Sequence, residues 1–252
     1  MILVHSDIRG FSENRFKVSP FDIGYNQQII DSAFEELNRI ASGREILLPT
    51  FNYDFTKTKV YNYLTDLPQV GRLPKAAVIR PEWQRSKTPV YSFASNTKRP
   101  DHFPMPFSEN SVFNCLVETD SEIILKGVGF DRFTFIHHVE HVCGIPYRYE
   151  KSFRGELLHS NERTAVEVQF HVRPKGLFID YDFDKIEGIL IECGAAKRID
   201  KNQIVVSARK SFTRISELIK ENHLSLLSRE SAQQVDEKIN LIGRAFILED
   251  FE

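Results

Sequence analysis

The segment Phe133-Thr-Phe-Ile-His-His-Val-Glu-His-Val-Cys143 carries the residue types and spacing best suited to chemistry. A helix from about Thr134 to Cys143 puts His137, Glu140 and His141 on one face, at the i, i+3, i+4 spacing where side chains meet. Phe135, Ile136, Val139, Val142 and Cys143 share the opposite face, which must be buried. A carboxylate beside an imidazole fixes its tautomer and stabilises the imidazolium that forms when it takes a proton. With an unperturbed pKa of about 6.5, imidazole passes protons either way near neutral pH. Such a pair suits an ammonium substrate that must lose a proton before its nitrogen attacks a carbonyl. Two other readings stay open. The face is a solvated one, or His137 and His141 are metal ligands of a metal-dependent hydrolase. Against metal, His-His-Val-Glu-His is not the His-Glu-x-x-His signature and no third ligand follows. His138 faces sideways and reads as structural.

The elements around this helix decide where its face points. Ser121-Glu-Ile-Ile-Leu-Lys-Gly-Val-Gly129 reads as a strand ending in glycines just before it. In open α/β sheets, sites form at the carboxyl ends of strands, so the His137 face looks into such a crevice. Residues 2–5 read as a strand opening into a loop. The apolar stripe at 29, 30, 33, 34, 37, 40 and 41 is a helix capped by Gly43, and Glu45–Phe51 is a second strand buried on both faces. Strand, helix, strand suggests a parallel crossover. Residues 52–110 hold seven prolines and few periodic signals, the mark of functional loops. Further expectations are a short helix at 111–118, an antiparallel strand at 164–172, and helices near 182–192 and 211–222. A strand at 203–208 and a last helix or strand at 236–251 complete the chain. The pattern predicts one α/β domain over residues 1–252: a three-layer α/β/α sandwich with a central mixed, largely parallel sheet and a loop-rich insertion at about 52–110.

A net charge of −2 over 252 residues gives no electrostatic reason to expect nucleic acid or an anionic membrane. No apolar run approaches the ~20 residues of a membrane span. The opening Met-Ile-Leu-Val-His-Ser-Asp lacks the basic and apolar regions of a signal peptide, so a cytoplasmic protein is expected. Cys115, Cys143 and Cys193 are odd in number and widely spaced, which argues against a disulfide framework or a structural zinc site. Their apolar flanks predict three buried thiols. Cys143 falls on the buried helix face, which leaves it inert as a nucleophile.

Several motifs in order resemble the aminoglycoside 3-N-acetyltransferase family. Leu3-Val-His-Ser-Asp-Ile-Arg9 resembles its Leu-Val-His-Ser-Ser-Leu-Arg, and Leu47-Leu-Pro-Thr-Phe51 its Val-Met-Pro-Thr-Phe. Arg85-Ser-Lys-Thr-Pro-Val-Tyr-Ser-Phe-Ala94 is similar to Arg-Ser-x-His-Pro-x-x-Ser-Phe-Ala. Gly127-Val-Gly129 with Thr134-x-x-His137-x-x-Glu140 is similar to Gly-Val-Gly followed by Asn-Thr-x-x-His-x-x-Glu. Pro146-Tyr-Arg-Tyr149 lines up more loosely. The resemblance implies acyl transfer from coenzyme A to an amine, with His137 and Glu140 as the acid–base pair. It implies His5, Ser6 and Asp7 along the pantetheine, and Arg85 and Ser86 at the cofactor and acyl end. It also puts Thr134 at the helix start, where its hydroxyl or nearby N–H groups would stabilise the thioester oxyanion. Three departures stand out: Thr88 replaces the motif histidine, Phe133 replaces the asparagine, and the sequence opens at the first strand without the helix that usually precedes it.

Those departures bear on the acceptor. Polycationic aminoglycosides call for clustered carboxylates. Residues 52–110 instead hold five acidic residues (Asp54, Asp66, Glu82, Asp101, Glu109) against nine basic ones (Lys57, Lys59, Arg72, Lys75, Arg80, Arg85, Lys87, Lys98, Arg99). Aromatics among cations suit a flat base and a diphosphate, although the same rings can simply pack a loop-rich region. The expected acceptor is therefore a nucleotide-linked amino sugar such as a 3-amino-3,6-dideoxyhexose, held by Tyr53, Asp54, Trp83, Thr88 and Phe93. Thr88, smaller than histidine, leaves room for a donor longer than acetyl-CoA. Transfer is expected to be direct, with the alternatives of an aminoglycoside acceptor, a metal-dependent hydrolase or a coenzyme A-binding protein without activity. A homo-oligomer is left open.

Overall fold

The computed structural model describes residues 1–11, 23–98, 103–159 and 162–252. The first half contains β1 (Ile2–Ser6), α1 (Ile23–Ala41), β2 (Ile46–Pro49), α2 (Phe55–Thr58), β3 (Val60–Asn62), α3 (Arg72–Ala77), β4 (Gln84–Arg85), β5 (Phe93–Ser95), α4 (Val112–Glu118) and β6 (Glu122–Lys126). The second contains α5 (Ile136–Cys143), β7 (Tyr149–His159), β8 (Glu162–Val172), α6 (Phe183–Glu192), β9 (Ala196–Asp200), β10 (Gln203–Ser207), α7 (Ala208–Glu221) and α8 (Arg229–Ile242).

Alternation along three short apolar strands builds a core on both sides of one sheet. Ile2, Val4, Ile46, Leu48 and Ile124 pack with Phe34 and Leu37 of α1 and Leu73 and Ala77 of α3. Leu3, Leu47, Ile123 and Leu125 belong to the opposite core, with Phe113 of α4, Val139 of α5 and Ile215 of α7. This gives the expected three layers.

The sheet runs β4-β5-β2-β1-β6-β10-β9. β1 pairs parallel with β2 and β6, so the expected crossover through α1 is present. The other four neighbour pairs are antiparallel. The sheet is thus mixed, but parallel pairing is confined to its three central strands rather than prevailing. For β9 and β10 the reason is connection length: parallel neighbours need a crossover of a dozen or more residues, and only Lys201 and Asn202 join them.

The 52–110 region is less loop-like than expected. It contributes β4 and β5 to the main sheet, and β3 to a second sheet in the order β3-β7-β8. Its elements are two to six residues long and lean on distant partners, as where Val60–Asn62 pairs with Glu156–Leu158. The cysteines also depart from expectation. Cys193 is exposed at the C-cap of α6, and Cys115 and Cys143 are half-buried. Among the described residues, no helix is long and apolar enough to cross a membrane.

The loops leaving β1 and β6 touch backbone to backbone. A Cβ on Gly10 would lie 2.3 Å from Gly127 Cα, and one on Gly127, at φ +69°, 2.5 Å from Gly10 Cα. Only glycine at both positions permits this approach. Gly127→Ala is expected to lose on the order of 3 kcal/mol of stability in urea unfolding. Gly129→Ala, which meets only the Asp131 side chain at 3.2 Å, should lose clearly less.

Candidate active site

The three parallel strands deliver their carboxyl ends to one edge, where an open cleft of about 410 Å³ lies. β1 and its loop supply His5, Ser6 and Asp7, and the loop after β2 supplies Phe51 and Tyr53. The loop after β6 supplies Val128, Asp131, Arg132 and Thr134, and α5 supplies His137. Gln69, Val70, Gly71 and Tyr91 complete the wall. The helix starts at Ile136, two residues later than expected, because Phe130–Arg132 forms a 3-10 turn that carries the chain past Thr134. Gly144, left-handed at φ 65°, ends it.

Glu140 lies on no solvated face; it is fully buried, at 0% exposure. Four groups surround its carboxylate. Tyr147 and Tyr181 each donate a hydroxyl to Oε1 at 2.7 Å. Arg148 Nε is 3.3 Å from Oε2, and His137 Nδ1 is 2.8 Å from Oε2. An ionised carboxylate can only accept, so Nδ1 carries the proton and Nε2 is the ring's free base. Arg148 also donates to Tyr181 Oη at 2.7 Å, which closes the network.

Burial pushes the Glu140 carboxyl up, but Arg148 and His137 outweigh it and hold it well below the usual carboxylate range. Burial first, then the Arg148 charge, lowers the His137 pKa against the opposing pull of Glu140. The ring is therefore neutral at neutral pH. His138 is structural, as expected: it is buried with Nδ1 2.8 Å from Phe107 O.

The structure also brings a histidine that the sequence did not point to. His171 of β8 packs edge-on to His137, with ring centroids 6.1 Å apart. His137, Glu140 and His171 offer ligand atoms within 4.8 Å of one another. However, a dication there would face the Arg148 guanidinium and compete for a carboxylate that already has four partners. The chemistry of the donor set favours proton transfer over metal binding at this point.

Of the expected cofactor contacts, His5, Ser6 and Asp7 line the cleft. His5 Nε2 and Ser6 Oγ are buried without a hydrogen-bond partner among the described residues, which fits them to the polar groups of a pantetheine chain. Asp7 is paired with Arg9 at 2.7 Å. Through Asp7 and Gly71 the cleft adjoins a hollow lined by Arg9, Arg72 and Lys75. Arg85 and Ser86 are not brought to the cleft. Arg85 is buried and donates to Thr50 O at 2.7 Å and Ser92 Oγ at 3.1 Å, with a further bond to Asp66 O. Ser86 Oγ accepts from Phe93 N at 3.1 Å. Both tie the 50–95 loops together.

Of the expected acceptor contacts only Tyr53 reaches the cleft, at 42% exposure. Trp83 packs on Phe34 in the opposite core. Thr88 is buried and accepts from Phe103 N at 3.1 Å. Phe93 is buried against Phe51 and Phe113, and Asp54 is exposed beside α2. Tyr147 and Arg148 were legible only as part of the loosely matching Pro146–Tyr149 motif. Tyr181, Tyr91 and His171 reach the site through tertiary contacts that no local pattern signals.

The fold is thus a three-layer α/β sandwich with a His–Glu pair at the mouth of its parallel strands. The family model described as aminoglycoside 3-N-acetyltransferase matches residues 44–220, and the chain belongs to that family. It is an acyl-CoA-dependent N-acyltransferase with a coenzyme A thioester as donor. Solved structures share the fold at low identity. The apoenzyme of the aminoglycoside acetyltransferase AAC(3)-IVa aligns with TM-score 0.65 and 20% identity over 93% of this chain and 88% of its own. A variant of that enzyme in complex with a gentamicin gives TM-score 0.67 and 19% identity over 92% and 86%. AAC-IIIb with CoASH gives 0.69 and 16% over 87% and 89%. No curated protein sequence matches the chain.

The buried histidines set an acid limit on stability. Burial lowers His5 and His138 to about 4, and lowers His137 and His171 as well. Below pH 6.5 the unfolded chain binds protons that the folded chain excludes. The stability held above that pH is thus lost progressively as pH falls toward 4, by about 3 kcal/mol for each of His5 and His138. Urea midpoints should begin to fall between pH 6.5 and 5, before most carboxylates titrate. A flat profile to pH 5 would contradict this.

Proposed function

We propose that the chain transfers an acyl group from acyl-CoA directly to the amine of an amino sugar carried on a nucleotide, of the 3-amino-3,6-dideoxyhexose kind. The observation that carries the mechanism is Glu140, buried under three hydrogen-bond donors and the Arg148 charge and aligning His137 at the cleft wall. His137 Nε2 takes the proton of the ammonium, and the freed nitrogen attacks the thioester carbonyl carbon. The C–S bond breaks, the nitrogen loses its second proton to solvent as the amide forms, and the thiolate of coenzyme A takes the proton held by the imidazolium. The Thr134 hydroxyl at the cleft wall stabilises the oxyanion of the addition step. His5, Ser6 and Asp7 hold the pantetheine, and Arg9, Arg72 and Lys75 meet the phosphates of coenzyme A.

Cleft charge supports an anionic acceptor. Its two carboxylates are each matched by an arginine, Asp7 by Arg9 and Asp131 by Arg132 at 3.1 Å. Arg132 and Arg173 are close enough to oppose the burial-driven rise of the Tyr53 pKa, and Arg173 acts likewise on Tyr91. A polycation finds little there to neutralise it, whereas a diphosphate meets cations beside Tyr53 and Tyr91, rings on which a base can stack. The gentamicin complex of the structural relative keeps an aminoglycoside acceptor as the second reading.

The test is thiol release from acetyl-CoA and longer acyl-CoAs against nucleotide-linked 3- and 4-amino sugars and aminoglycosides. Turnover is expected with the nucleotide-linked amines, and turnover with aminoglycosides alone would overturn the acceptor. His137→Ala should lower kcat by about 10²–10⁴-fold, and Thr134→Ala should lower kcat with little change in KM. Full activity of His137→Ala would overturn the mechanism.

A further inference from the structure

A second cavity, of about 490 Å³, shares no lining residue with the cleft. It is bounded by the end of α5, the start of β7, the end of β8 and the segment 245–249. Three potential ligands converge on it. Glu150 and His171 are direct cross-strand partners in the β7–β8 ladder, which places their side chains on the same face. His141, one helical turn beyond His137, puts Nδ1 3.0 Å from Glu150 Oε1. Ligand atoms of all three residues lie within 4.8 Å of one another.

The second observation is His171 itself. It is 5% exposed, and its Nε2 has no hydrogen-bond partner among the described residues. A buried polar atom without a partner is destabilising, and coordination, or the tautomer and ring shift it imposes, removes that cost. We propose that His141, Glu150 and His171 form a divalent transition-metal site separate from the acyl-transfer cleft.

Two imidazoles, one carboxylate and access from solvent are the donor set of an open zinc-type site, which also accepts cobalt and nickel. Ligand atoms about 2.1 Å from a tetrahedral ion stand about 3.4 Å apart, close to the His141–Glu150 separation. Arg148 and Glu140 line this cavity as well, but an ion held by His141, Glu150 and His171 does not compete for the Glu140 carboxylate. Glu150 adds a carboxylate, and the nearby Arg148 is already matched by Glu140 at 3.3 Å. Occupancy would set a dication beside the ring against which His137 packs, opposing protonation of His137.

The experiment is calorimetric titration of the chelator-stripped full chain with Zn²⁺ and with Co²⁺, following visible Co²⁺ absorption as a readout of tetrahedral ligation. One equivalent should bind. His141→Ala and Glu150→Gln, both at partly exposed positions, should each weaken binding at least about tenfold. His137→Ala should leave the affinity in place. Circular dichroism and urea midpoints establish that the variants fold. Substoichiometric binding would overturn the site, as would unchanged affinity in the His141→Ala, Glu150→Gln double variant. Loss of binding in His137→Ala with retention in His141→Ala would move the ion to Glu140 and equally overturn it.

Discussion

Everything at the centre of this molecule depends on one carboxylate kept charged with no access to water. Burying an unpaired carboxylate costs several kcal/mol, and such a group normally picks up a proton instead. Glu140 stays ionised because two phenols and an imidazole hydrogen-bond to it and the Arg148 guanidinium pairs with it at 3.3 Å. These donors come from three separate places: α5 itself, the turn before β7, and the segment before α6. Helix, turn and segment must therefore pack correctly before His137 has its orientation, and the geometry of the pair is a consequence of the completed fold.

The same network explains why the His137 ring is neutral and not a resident cation. Burial and Arg148 oppose its protonation, and Glu140 rewards it. The balance leaves the ring neutral with Nε2 free, yet able to become an imidazolium for the moment the mechanism requires. The sheet supplies the rest. Three parallel strands end together, and the Gly10–Gly127 contact locks the loops leaving β1 and β6 at the mouth of the cleft. The two carboxylates lining the cleft are each paired with an arginine.

Much of this was legible in the sequence, for identifiable reasons. β1, β2 and β6 are short apolar runs buried on both faces, and α1, α6 and α7 have clear stripes. Their period is a local property. The His137–Glu140 pairing was visible because an i, i+3 contact is fixed by helical geometry. The burial of Glu140 was not visible, since its partners are nonlocal and two of them are tyrosines that read as ordinary core. Arg85 shows the opposite case. A buried arginine in a family-like motif suggested a ligand contact, but its hydrogen bonds end on the backbone and hydroxyls of its own loops. The strands β3, β4, β5 and β9 were illegible because each is too short, or too exposed, to show a period. Partners far away in the chain make them strands.

The central claim is that Glu140 holds His137 as a neutral imidazole protonated on Nδ1, with Nε2 as the base. Nitrogen-15 NMR of the His137 ring across a pH titration tests this directly. The account predicts the Nδ1–H tautomer at neutral pH and a midpoint below 6.5, displaced upward when Arg148 is replaced by methionine in a variant that still folds. A ring protonated on Nε2, or one titrating at or above 6.5, would contradict it.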